Sequence, residues 1–220
     1  TVWAMMALES HFVALWALLA LWVWSGRGRR RELWTGLCLA LVPMARPDGA
    51  LFVIAFALSE AFSLLASALR GDGARLKSRA LSLAIALGSA SALFGVYFAW
   101  RYRYYGYPFP NTFYLKVGSS HFAGLQRGIG YVKSFLEDRG ELPLLALGAL
   151  PWLGRPTLRT LALWVGLHVP YVAYVGGDFY PGHRFLVQLL PAIALLSAAP
   201  LGGLAAFARR PRVEELLRRA

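Results

Sequence analysis

Apolar runs occupy residues 1–25, 33–45, 50–69, 80–100, 142–153, 161–175 and 186–207 of the 220-residue chain, separated by short polar connections. A run of about 20 apolar residues is the length of a bilayer-crossing helix. The pattern therefore predicts an all-α fold, a polytopic bundle of seven transmembrane helices. Two runs, 33–45 and 142–153, reach only ~20 Å as helices, less than the roughly 30 Å hydrocarbon core. The connection at 46–49 is then expected below the membrane surface, where irregular backbone lines a cavity or is buried in protein. Within the long stretch 101–141, Phe122, Leu125, Ile129, Val132, Phe135 and Leu136 recur at helical spacing. They predict an amphipathic helix that lies on the interface, caps a cavity or packs on the bundle.

Composition fits this reading, with 58% hydrophobic and 15% charged residues, where a soluble domain carries about 25% charge. The formal charge of +12 is not gathered on one soluble face, so it does not suggest nucleic acid as a partner. Instead it follows the connections. Those at 27–31, 70–79, 155–159 and 209–219 hold 15 of the 23 basic residues, and the positive-inside rule makes them cytoplasmic. Arg46-Pro47-Asp48-Gly49, the stretch 101–141 and the segment 176–185 then lie outside the cytoplasm. Trp100, Tyr102, Tyr104, Tyr105, Tyr107, Phe109 and Phe113 cluster where an interfacial aromatic belt belongs. Cys38 is the single cysteine, which excludes an internal disulfide and a multi-cysteine metal site. The chain opens at Thr1 on an apolar run with no initiator Met or charged leader, and is expected to be a piece of a longer protein.

Ionisable groups in apolar spans are costly, and each is a functional candidate. Glu9, with His11 nearby, sits at the external end of the first run; Glu60 lies deep in the third and is expected to be structural, paired with a basic side chain. In Arg46-Pro47-Asp48-Gly49, Pro47 biases Arg46 away from helix, and Asp48 is placed to cap the next helix. An Arg on the side poor in basic residues is a candidate anion site, because its planar fork suits phosphate. Asp178, His183 and Arg184 in Gly176-Gly177-Asp178-Phe179-Tyr180-Pro181-Gly182-His183-Arg184 form the densest constellation; the bland alternative is a tight turn with an Asp–Arg ion pair. No Gly-rich phosphate loop, His-Glu-x-x-His or nucleophile elbow is present, which disfavours nucleotide-driven and protease chemistry.

The series Ala7-Leu8-Glu9-Ser10, Ala45-Arg46-Pro47-Asp48-Gly49-Ala50, Tyr104-Tyr105-Gly106-Tyr107-Pro108-Phe109-Pro110-Asn111-Thr112-Phe113-Tyr114-Leu115-Lys116 and Gly176-Gly177-Asp178-Phe179-Tyr180-Pro181-Gly182-His183-Arg184-Phe185 resembles bacterial integral-membrane glycosyltransferases of the GT-C fold. The nearest group is the terminal arabinofuranosyltransferases of mycobacterial cell-wall arabinan and their relatives. The resemblance spans nearly the whole chain in order. It implies multi-pass placement in the bacterial inner membrane and transfer of a sugar from a polyprenyl-phosphate donor to a glycan or lipid acceptor outside the cytoplasm. It carries substrate binding onto Glu9, Arg46, Asp48, Asn111, Tyr114, Lys116, Asp178, His183 and Arg184, with no metal ligand and no cofactor identified. Two points depart from it. The catalytic carboxylate of such enzymes precedes the first motif seen here, and Ser10 and His11 stand where relatives often carry Thr and a small residue.

The requirements of such transfer are a cavity open to the bilayer, cations for the leaving phosphate and a base for the acceptor hydroxyl. Arg46, Lys116 and Arg184 are external cations near span ends. The rival reading is a transporter or flippase of a lipid-linked sugar, which tends to place ion pairs and broken helices at the bilayer midplane; a non-catalytic scaffold is the third.

Overall fold

A computed structural model describes residues 8–108, 121–178 and 183–208, and among these all regular structure is helical. The order is α1 (Leu8–Ser25), α2 (Arg31–Ala45), a 3-10 turn (Pro47–Gly49), α3 (Ala50–Leu69), α4 (Gly73–Tyr105), α5 (His121–Arg139), α6 (Glu141–Leu147), a second 3-10 turn (Leu150–Trp152), α7 (Pro156–Tyr174), α8 (Arg184–Val187) and α9 (Leu190–Ala208). Two helical segments, Pro47–Leu69 and Gly73–Tyr105, are long and apolar enough to cross a membrane. Their outward faces carry large apolar side chains in the open, among them Phe62, Leu65, Leu81 and Val96.

Local chemistry sets the boundaries. Pro47 forces Arg46 into extended backbone at φ −151° and ψ 136°, which ends α2. The Asp72 side chain accepts from the Arg75 N–H and starts α4. Gly106, at φ 74°, ends that helix in left-handed backbone. Pro156 opens α7 at the one place where a missing N–H costs nothing.

Two expected spans differ from the pattern. Residues 142–153 form no single helix: α6 has 7 residues, ~10 Å of helix, and Gly148 already turns back to the Leu145 carbonyl. Pro151, which has no N–H to give, then falls in a 3-10 turn. The run 186–207 is divided into α8 and α9, because Pro191 has no N–H to return to the Val187 carbonyl. In the other direction, the run 80–100 is part of a single 33-residue helix, ~50 Å long, which absorbs the basic residues before it and the exposed Trp100, Tyr102, Tyr104 and Tyr105 after it.

Helices α1, α2 and α4 pack in series, while α3 and α5 both pack on α7. Leu39, Val42, Phe52, Phe56, Leu161, Trp164, Leu186 and Leu189 form the centre of the core. Phe52 meets Trp164 edge-on at 5.1 Å. Gly128 lets α5 approach α7 closely: a Cβ there would lie 2.0 Å from the Ala173 carbonyl oxygen. The α5 helix follows the sequence expectation, with Phe135 buried and Tyr131 and Val132 packed on the core, but Leu125, Ile129 and Leu136 stay exposed.

The polar side chains sort to two ends of the bundle. At one end the starts of α2, α4 and α7 and the far half of α3 meet. Arg79 Nε and Nη2 lie 2.8 and 3.1 Å from the two Glu60 oxygens, Arg159 donates to the Ser59 carbonyl at 2.7 Å, and Ser82 donates to Glu32 at 2.9 Å. Glu60 is thus the paired, structural group expected from the sequence. The other end gathers the start of α1, the α2–α3 turn, the end of α7 and α8.

Candidate functional site

The site begins with the turn that Pro47 creates. Arg46 folds back across it and meets Asp48 through two parallel bonds, Nε to Oδ1 and Nη2 to Oδ2, each 2.9 Å. Asp48 therefore spends its oxygens on the guanidinium and, contrary to the sequence expectation, makes no side-chain cap to α3. Both side chains are nearly closed off, 10% and 6% exposed, and a charge-assisted fork is the geometry that makes such burial tolerable. The fork expected to face a phosphate is thus occupied by a carboxylate from its own turn. The remaining edge of Arg46 faces α1, with Nη1 3.4 Å from Ser10 Oγ and 3.6 Å from Glu9 Oε2.

Ser10 ties this turn to the last motif by donating to the Arg184 carbonyl oxygen at 3.2 Å. Arg184 Nε donates to Asp178 Oδ2 at 2.8 Å, so the ion pair of the bland alternative exists. The Arg184 side chain is the more open of the two guanidiniums, at 28% exposed. Both guanidiniums approach the Phe185 ring, its centroid 4.9 Å from the Arg46 guanidinium carbon and 5.8 Å from that of Arg184, within the range of a cation–π contact.

Two glycines bring the Asp178 loop into place. Gly176 and Gly177 hold φ values of 84° and 70°, and Gly177 donates to the Val172 carbonyl at 3.0 Å to close α7. A Cβ on Gly177 would lie 2.7 Å from the Tyr131 ring. That contact also positions Tyr131, whose hydroxyl oxygen accepts from the Phe185 N–H at 3.2 Å. Burial pushes the Tyr131 hydroxyl up to about 12, so it stays protonated at ordinary pH.

His183 faces α5. Its Nε2 is 3.1 Å from Ser134 Oγ and its Nδ1 is 3.6 Å from Asp138 Oδ2. The Tyr131 and Phe135 rings meet it edge-on at 5.2 and 5.5 Å.

Beneath these groups lies a buried polar layer that the motifs did not single out. Gln188 Nε2 donates to Asp48 Oδ2 at 3.2 Å and lies 2.7 Å from His168 Nε2. His168 Nε2 is also 3.0 Å from the Phe185 carbonyl oxygen. The tautomer selects its partner: protonated on Nδ1 it accepts from Gln188, and protonated on Nε2 it donates to Phe185.

The fold thus brings together Glu9, Arg46, Asp48, Asp178, His183 and Arg184, from three segments far apart in the chain. Asn111, Tyr114 and Lys116 lie outside the described residues. His168, Gln188, Tyr131, Ser134 and Asp138 were not singled out from sequence. A histidine inside the apolar run 161–175 was the one available signal, since a polar ring there is costly without a partner. Among the described residues no group of three His, Cys, Asp or Glu side chains is placed to hold a metal ion. Compared with known proteins, the chain matches no family model, no curated protein and no solved structure.

Proposed function

We infer that the chain is part of a multi-pass membrane glycosyltransferase that moves a sugar from a polyprenyl-phosphate donor to a glycan or lipid acceptor at the non-cytoplasmic end of the bundle. The observation that carries this reading is the bond from Ser10 to the Arg184 backbone, with Arg46 on the same hydroxyl. It joins three of the four motifs behind the GT-C resemblance into one site with two guanidiniums. The charge pattern supports the orientation: the basic connections 27–31, 70–79 and 155–159 meet at the opposite end, which the positive-inside rule assigns to the cytoplasm.

In this reading the two arginines have different tasks. Arg184, the more exposed, meets the donor phosphate and stabilises the charge that grows on it as the glycosidic bond breaks. Arg46, fixed by Asp48, is a buried positive charge that holds the first turn of α1 and the α8 backbone in register. Glu9 is 63% exposed beside Arg46 and is placed to hydrogen-bond hydroxyls of the sugar or acceptor. The polyprenyl chain lies in the bilayer against the apolar outer faces of the helices. Glu60 is taken up by Arg79 at the opposite end, which leaves no deep carboxylate in α3 for a transport cycle. Transfer of labelled sugar from a synthetic polyprenyl-phosphate donor by the intact protein in nanodiscs tests the reading. Turnover lost on Arg184→Ala with the fold retained is expected, and a wild type that releases no polyprenyl phosphate contradicts it.

A further inference from the structure

We propose that Arg159, at the end of the bundle opposite the site above, holds the phosphate of an anionic phospholipid whose chains lie along Ile54, Leu58 and Phe62 of α3; this rests on the membrane-spanning part of the reading above and not on sugar transfer. The guanidinium is fixed on one edge only. Nε donates to Ser59 Oγ at 3.2 Å, and Nη2 donates to the Ser59 carbonyl at 2.7 Å and to Ser63 Oγ. Both hydroxyls give their own protons to backbone carbonyls, Ser59 to Pro156 at 3.0 Å and Ser63 to Ser59 at 3.1 Å. Every hydrogen-bond partner of the charge is therefore neutral, and the N–H pair of Nη1 meets no described acceptor.

The acids of this end are already taken. Glu60 gives both oxygens to Arg79, and Glu32 is shared by Arg31 and Ser82, so among the described residues no carboxylate pairs with Arg159. A half-buried guanidinium with only neutral partners is an incomplete pair, and its planar fork suits two phosphate oxygens. The level is that of headgroups. Ser82 lies one turn of α4 from Arg79, which sets the Glu32, Glu60 and Pro156 contacts side by side. The connections that enter α2 and α7 at this level carry Arg27, Arg29, Arg30 and Arg155, residues of the kind that gather at anionic headgroups on the cytoplasmic side.

The neighbouring surface separates a lipid from a soluble anion. The Arg159 guanidinium carbon stands 4.5 Å from the Phe62 ring centroid, and that residue is 56% exposed. Leu58 and Ile54, each 48% exposed, follow one helical turn apart toward the opposite end, so one outward stripe of α3 runs from the cation into the apolar region. An acyl chain has a track there; inorganic phosphate gains nothing from it.

The test reconstitutes the intact protein into nanodiscs of phosphatidylcholine and phosphatidylglycerol in equal parts, releases it into detergent and follows the retained lipid by native mass spectrometry. Phosphatidylglycerol is expected to be retained in preference to phosphatidylcholine, with the first molecule held at least ~10-fold less tightly by Arg159→Gln. Arg159 also holds α3 to α7, so a second variant keeps those bonds: Phe62→Glu sets a carboxylate of the protein's own beside the guanidinium, and is expected to abolish the preference with Tm held or raised. Millimolar inorganic phosphate is expected to leave the lipid in place; displacement by it overturns the lipid as occupant. Equal retention of the two lipids by the wild type, or phosphatidylglycerol binding unchanged in both variants, overturns the proposal. A chain that does not enter nanodiscs overturns the membrane-spanning reading itself, and the lipid site with it.

Discussion

Arg46 and Asp48, two residues apart across Pro47, hold each other through two parallel 2.9 Å bonds in a place nearly closed to water. The pair explains why an arginine sits at the junction of two apolar helices, since the turn supplies its own counter-charge. Lysine keeps the charge but loses the fork. Arg46→Lys is therefore expected to lower stability by about 1–3 kcal/mol, seen as a reduced Tm in nanodiscs. Arg184→Lys, at a more open site, is expected to leave Tm nearly unchanged and weaken polyprenyl-phosphate binding. Equal effects of both substitutions on Tm and on binding contradict the division of roles.

Gly177 is required twice, by its φ of 70° and by the Tyr131 ring that a Cβ would meet at 2.7 Å. Left-handed backbone alone costs a non-glycine residue about 1–2 kcal/mol. Gly177→Ala is expected to lower Tm and to displace the loop that presents Asp178, reducing transfer more than stability. Gly88 in the middle of α4 has open space around it, so Gly88→Ala is expected to be neutral or to raise Tm. Both variants are read by thermal unfolding beside a transfer assay.

Glu60 is buried, 1% exposed, against Arg79. Removing the arginine leaves a carboxylate with its charge uncompensated, and Arg79→Ala is expected to cost about 3 kcal/mol. Neutralising both partners removes the cause: Arg79→Ala with Glu60→Gln should recover most of the loss. Additive losses in the double variant would count against the pairing as the source of the effect.

Much of the helical layout was legible because the apolar runs and their breakers are local. Pro47 and Gly106 mark the ends of α2 and α4. The failures share one cause. Runs 142–153 and 186–207 contain prolines whose consequence depends on whether the missing N–H falls at a helix start or inside one, and composition alone does not decide that. At the site, Arg46, Asp178 and Arg184 stood out because charges beside apolar spans are costly. What could not be read was who pairs with whom: Asp48 reads as a helix cap until Arg46 is seen folding back onto it. Gln188 and His168 gave weak signals because their value lies in contacts made by segments 140 and 20 residues apart.

Sugar transfer at the end of the bundle where Arg46 and Arg184 meet, with that end facing away from the cytoplasm, has a direct test. The direct measurement uses the intact protein in sealed vesicles of known orientation, with the polyprenyl-phosphate sugar in the bilayer and a membrane-impermeant acceptor on one side only. Product is expected when the acceptor is on the Arg184 side, and none when it is on the side of Arg79 and Arg159. Product formed only on the Arg79 side, or on neither, contradicts it.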